Sequence, residues 1–360
     1  SLHFTHQCTA VETWFKTGRD LSAWAEDKAW TMSFQQGQKR IMEYRRLGRT
    51  ELECSAVGLG TWAFNSSVYG PVDRTAAVQA IDAAREVGIN FFDTAPLYGT
   101  GEEDGIAESV LGLGLRGCRK EVIISTKFGR KPTEGNKANF NGPYARQSVE
   151  ESLKRLGTDY IDLLFFHSPF SPREIDDDVW ESLASLKREG KVRFIGHSIS
   201  KFEDTQEMAR TWAEERKIDV IQVVYSLLNR EAEALIGELG KAGVGVVARE
   251  SLANGFLSGK VRRDSTFPAG TLNARYTREE VEARVDRVEA LSFLVREPIE
   301  SMPQAALRWV LDNPCVSLVL TGAKSAAEVR DGSRASQWPS YSREEMDRAA
   351  LLHISDFAAA

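Results

Sequence analysis

At 360 residues, 42% of them hydrophobic, the chain has apolar material for one large domain with a substantial core, and length alone allows two. A formal net charge of −6 excludes nucleic acid as the main partner, which selects a basic face, but leaves room for an anionic small molecule held by a few local cations. The cysteines, Cys8, Cys54, Cys118 and Cys315, are scattered without CxxC or metal-ligand spacing, so neither a disulfide framework nor a metal centre is expected.

No apolar run approaches the ~18 residues of a membrane helix, and the N-terminus lacks a signal peptide's continuous apolar stretch. The cytoplasm is the expected compartment, and no feature sets an oligomeric state. Residues 1–41, with Trp14, Trp24 and Trp30 among polar neighbours, read as an extension outside the main fold.

From Met42 a rhythm begins. A hairpin is expected from 44–47 and 52–55 around Gly48-Arg49-Thr50. Apolar, β-branched or aromatic runs follow at 56–62, 89–94, 121–127, 160–167, 192–198, 220–225, 244–249 and 317–321. Each is nearly continuous in apolar character, as strands covered on both faces must be. Helix-period segments alternate with them at 75–87, 145–156, 179–189, 202–216 and 232–242, several closed by a glycine such as Gly157, Gly190 or Gly243.

This alternation predicts a parallel sheet, closed into a (β/α)8 TIM barrel or opened as a doubly wound sheet. The early hairpin, as an N-terminal cap, favours the barrel over residues 42–360. So does the lack of a GxGxxG after the first strand; Gly112-Leu113-Gly114 has neither the strand before it nor the spacing after it.

Catalytic groups of parallel barrels sit at the C-terminal strand ends and in the loops beyond. Those positions hold Asp93, Tyr98, Lys127 and His167 on three neighbouring strands. Taken singly, a strand-end Asp is commonly a cap and a lone His a core residue. An ammonium at the end of an apolar strand, however, requires a partner, and Asp93 is the natural one. Together they suit a carbonyl attacked by hydride, whose oxygen needs a proton as charge develops. Lys127 would lower the pKa of the Tyr98 phenol, Asp93 would keep Lys127 charged and aimed, and His167 would hold the carbonyl in line.

The motifs GLGTW (58–62), FFDTAPLYG (91–99), ISTKFG (124–129), SLKRLGTDYIDLLFFH (152–167), REGKVRFIGHS (188–198), LANGFLSGK (252–260) and LTGAKS (320–325) resemble the aldo-keto reductase superfamily, in the bacterial branch near the potassium-channel β-subunits. The resemblance implies reduction of an aldehyde or ketone in an ordered reaction with NADPH, with Asp93, Tyr98, Lys127 and His167 as the catalytic tetrad. It carries cofactor contacts onto Thr61, Trp62, Asp93, Ser198, Gln222, Arg249, Leu252, Ser258, Gly259, Lys260, Arg275, Gly322, Lys324, Ser325, Glu328 and Gly332.

Departures stand at Ile199, Arg249, Ser251, Glu328 and Gly332. A carboxylate at 328 repels a 2′-phosphate unless it points away, and equally suits the free ribose diol of NADH. Lys324 and Ser325, at a helix N-terminus, favour NADPH. A sugar (lactol) dehydrogenase using NAD and a cofactor-loaded regulatory subunit are the alternative functions. For a small carbonyl substrate the expected contacts are Tyr98, His167, Tyr69, Phe128 and Phe170. The polar segment 131–144 reads either as a lid or as a surface insertion.

Overall fold

The computed structural model describes residues 42–64 and 73–357, so the expected extension at 1–41 and the expected contact at Tyr69 lie outside the described residues. Strands β1 (Tyr44–Arg46) and β2 (Glu53–Ser55) form the antiparallel hairpin, with Arg45 opposite Cys54. Gly48, at a φ of 54°, turns it against the backbone of Gly243 and Gly245, so closely that a Cβ there would collide with the amide of Gly245.

Eight parallel strands then close into a ring: β3 (Val57–Gly60), β4 (Phe91–Asp93), β5 (Ile123–Phe128), β6 (Ile161–His167), β7 (Val192–Ser198), β8 (Val220–Val224), β9 (Gly245–Arg249) and β10 (Leu318–Thr321), with β10 pairing to both β9 and β3. The fold is therefore the (β/α)8 TIM barrel with its N-terminal hairpin. Alternation along each strand divides the core in two. Phe91, Ile123, Leu163, Phe165, Val220, Val247, Leu318 and Leu320 fill the interior, and Leu47, Leu52 and Cys54 of the hairpin cluster with them. Their sequence neighbours Phe92, Ile124, Leu164, Phe166, Ile221, Val246 and Val319 face outward, into the layer shared with the helices.

Helices α1 (Arg74–Glu86), α2 (Ile106–Gly114), α3 (Gly142–Leu156), α4 (Asp178–Arg188), α5 (Phe202–Glu214) and α6 (Glu233–Lys241) alternate with the strands. Their ends follow local chemistry. Asn141 caps α3 by accepting the Tyr144 amide at 2.8 Å, and Gly157 ends it in the left-handed region. Between Arg249 and Ser317 the sequence pattern predicts no element, yet α7 (Arg278–Ala290) and α8 (Met302–Leu311) stand there. The first buries only Val281 and Val285 and starts on a Thr277/Glu280 capping box. Beyond β10 follow α9 (Ala326–Ser333) and α10 (Arg343–Ile354). Among the described residues no helix is long and apolar enough to cross a membrane.

Two glycines separate packing from propensity. At Gly196, inside the barrel, a Cβ would overlap the Phe165 ring and lie 3.0 Å from the Val220 carbonyl, whereas Gly237, within α6, faces open space. Gly196→Ala is expected to destabilise by about 1–3 kcal/mol through overpacking. Gly237→Ala is expected to stabilise by about 0.5–1 kcal/mol through helix propensity. Urea midpoints of the two variants against the parent check both signs.

Candidate active site

The strand register assembles the site before any side chain is considered. Asp93 ends β4 opposite Ser125 of β5, and Lys127 lies two residues beyond Ser125 on the same inward face. His167 ends β6 opposite Ser198, which in turn pairs with Gln222 of β8.

Lys127 is the centre. Its side chain is 1% exposed, and an ammonium has three protons to place. It donates to Asp93 Oδ2 at 2.7 Å, to the Thr94 carbonyl at 2.9 Å and to Tyr98 Oη at 3.2 Å. Burial works against the charge, but Asp93 and Tyr98 outweigh it and hold the amine above its ordinary pKa. Because Lys127 only donates, Tyr98 Oη is the acceptor in their contact, and its own proton is left for another partner.

Asp93 is saturated in the same way. Its Oδ1 accepts from Ser125 Oγ at 2.8 Å and from Gln222 Nε2 at 2.9 Å, and Gln222 Oε1 accepts from Ser198 Oγ at 3.2 Å. The carboxylate thus heads a hydrogen-bonded chain that crosses the barrel mouth.

The phenol departs from expectation. Burial pushes the Tyr98 pKa above 10, and the Lys127 ammonium, which pulls it down, recovers only part of the rise. Tyr98 therefore stays protonated through neutral pH. The His167 ring meets it edge-on, with centroids 6.0 Å apart. Burial, reinforced by Lys127, Arg249 and Arg130, holds His167 well below the ordinary histidine range, and its Nδ1 has no partner in the protein. The imidazole is neutral, so it carries one N–H to give.

A cavity of about 750 Å³ opens over these groups. Asp93, Tyr98, Lys127 and His167 line one end, with Trp62, Ser198, Gln222 and Arg249 around them; Leu252, Ser258 and Lys260 lead to Gly322, Lys324, Glu328 and Gly332 at the other. Arg249 is tied down by the Ile199 carbonyl at 3.0 Å and by Glu250.

Several expected contacts do not reach the cavity wall. Phe128 follows Lys127 in the strand, so it points outward, fully buried against Phe140 and Phe166. Phe170 lies over Arg130 and Lys201 on the surface. Thr61 is buried, its hydroxyl donated to the Asp93 carbonyl at 3.0 Å. Arg275 is exposed and turned onto Tyr276. Gly259 serves as the left-handed end of a 3₁₀ turn, and Ser325 as the cap of α9.

The 131–144 segment is pinned outside: Lys131 is buried with Glu151 of α3 at 2.7 Å, and Tyr144 bonds Glu134 at 2.7 Å. No residue of the segment lines the cavity.

Sequence reasoning did not single out Asp331 on the cavity wall or Arg130 behind His167. Asp331 lines the far end, bonded to Ser301 Oγ at 2.9 Å and Gln304 Nε2 at 2.6 Å. Arg130 binds the carbonyls of His167 and Ser168, each at 3.2 Å, and that of Asn136 at 3.0 Å. Only the first carried a signal, being an acid in the opening turns of the helix after the last strand.

Residues 56–352 match the model of the Aldo/keto reductase family. The chain is 31% identical to "Aldo-keto reductase YhdN" of Bacillus subtilis, an alignment covering 88% of this chain and 96% of the relative. It is also 31% identical to the "NADH-specific methylglyoxal reductase" of Escherichia coli, over 79% of this chain and 90% of that one. A solved glycerol dehydrogenase, AKR11B4 of Gluconobacter oxydans, superposes with a TM-score of 0.72 at 27% identity, covering 90% and 98% of the two chains.

Beside Ser198, His197 is fully buried against Trp212, neither ring nitrogen has a partner, and burial pushes it down to about 3. Its folded pKa lies below the unfolded value near 6.5, so the unfolded chain takes up the proton first as pH falls. Stability is therefore lost from about pH 6.5 downward, at about 1.4 kcal/mol per pH unit, and levels off near pH 3. His197→Phe should flatten the stability–pH curve by that slope, measured by urea unfolding between pH 7 and 4.

Proposed function

This chain belongs to the aldo/keto reductase family, and on that footing we propose that it reduces an aldehyde or ketone to the alcohol, with Tyr98 giving the proton to the carbonyl oxygen. One observation carries the reading: all three Lys127 donors are engaged, with Tyr98 Oη as one acceptor, so the phenolic proton is directed to a partner other than Lys127. His167, neutral and edge-on to Tyr98, is the second donor for the same oxygen. As the proton leaves, Lys127 stabilises the phenolate and Asp93 keeps the ammonium charged.

The cavity fits a nicotinamide dinucleotide. It is larger than a small carbonyl compound requires, and it carries polar groups along its length. Ser198, Gln222 and Arg249 are the residues for the nicotinamide end. Leu252, Ser258 and Lys260 flank the phosphates, and Gly322, Lys324, Glu328 and Gly332 take the adenosine end. The dinucleotide, when bound, supplies hydride to the carbonyl carbon. Lys324, a cation on this wall, speaks for NADPH, and Glu328 speaks against it.

Trp62, Leu97 and Tyr98 give the substrate end a mixed apolar and polar wall. A small aldehyde suits that wall, in keeping with a relative named for methylglyoxal.

With 4-nitrobenzaldehyde, Tyr98→Phe should lower kcat by about 10²–10⁴-fold, the span of a general acid. Dinucleotide binding, followed by fluorescence, should be retained. Turnover within a few-fold of the parent would remove Tyr98 from the role.

A further inference from the structure

We infer that the adenosine end of the cavity is built for a free 2′-hydroxyl, so that this chain takes NADH in preference to NADPH, with Glu328 as the discriminating residue. The inference rests on the reading of the cavity as a dinucleotide groove.

A phosphate site at a helix start needs three things: a free backbone amide, the positive field of the first turn and a cation within reach. All three exist at α9, and all three are engaged by the chain itself. Glu328 is the third residue of that helix. Its Oε2 accepts from the Lys324 amide at 2.8 Å, and its Oε1 pairs with Lys260 Nζ, which reaches over from the loop after β9. Its own amide is capped by Ser325 Oγ at 3.3 Å. Burial disfavours this carboxylate, but Lys260 and the Lys324 amide more than compensate, so it remains ionised at neutral pH. Glu328 thus occupies the partners a 2′-phosphate would seek.

Asp331, one helical turn further, puts a second carboxylate on the same wall. Lys260 and Lys324 against Glu328 and Asp331 leave no net positive charge there. An entering 2′-phosphate has to part Glu328 from Lys260 and then sit beside the displaced anion. A ribose diol brings two hydroxyl donors and no charge, and a carboxylate that keeps its lysine still has lone pairs to receive them.

The test is a titration of the full chain with NADH and with NADPH, read by protein fluorescence and calorimetry. The parent should bind NADH about tenfold or more tighter than NADPH. Glu328→Gln removes the anion and releases Lys260; NADPH affinity should rise by about tenfold while NADH affinity holds or falls slightly. Glu328→Arg should invert the ranking. Lys260→Met should weaken NADPH binding more in the Glu328→Gln background than in the parent, because only there is the lysine free. Equal or tighter NADPH binding by the parent overturns the inference, as does a ratio unmoved by Glu328→Gln. If neither dinucleotide binds, the groove reading itself falls and takes this inference with it.

Discussion

A buried ammonium governs this molecule. Lys127 sits at the mouth of an apolar barrel, where a charge is tolerated only with every donor answered, and the three acceptors come from Asp93, Thr94 and Tyr98. Withdrawing one partner from such a pair typically costs about 3–5 kcal/mol. The contacts that make the charge tolerable are therefore the same ones that fix the phenol. The arrangement that satisfies the lysine also leaves Tyr98 with a proton to give. The barrel makes this possible by register: Asp93 and Ser125 are paired backbone neighbours, so the carboxylate and the amine meet without a long loop to order.

The two ends of the cavity handle charge differently. Around Tyr98 the site is deeply buried, and burial, with Lys127, Arg249 and Arg130 adding to it, depresses His167 and leaves it neutral as a donor. At the far end Glu328 pairs with Lys260 and takes the backbone amide of Lys324.

The barrel was legible because strands covered on both faces read as apolar runs, and the observed strands match the expected ones to within one or two residues per end. Asp93, Tyr98, Lys127 and His167 were legible because strand ends in a parallel barrel have a fixed meaning. Phe128 was misread although the information was present: it follows an inward lysine, and period two sends it out. Helix α7 was hidden because so little of it is buried. The direction of the Tyr98 shift was not legible, since it depends on how burial and one ammonium balance in three dimensions. Arg130 was not legible either, because most of its partners are backbone carbonyls, which every residue type supplies, and its one carboxylate partner, Glu174, lies in a distant loop.

Arg130 has a mechanical consequence. It grips the backbone at His167 and Ser168 on one side and the carbonyl of Asn136, within the 131–144 segment, on the other. That segment has no atom in the cavity wall, yet it is coupled through one guanidinium to the residue that aims the imidazole. The outer loop and the backbone that carries the imidazole thus share a single guanidinium, which ties the position of His167 to residues that never reach the cavity.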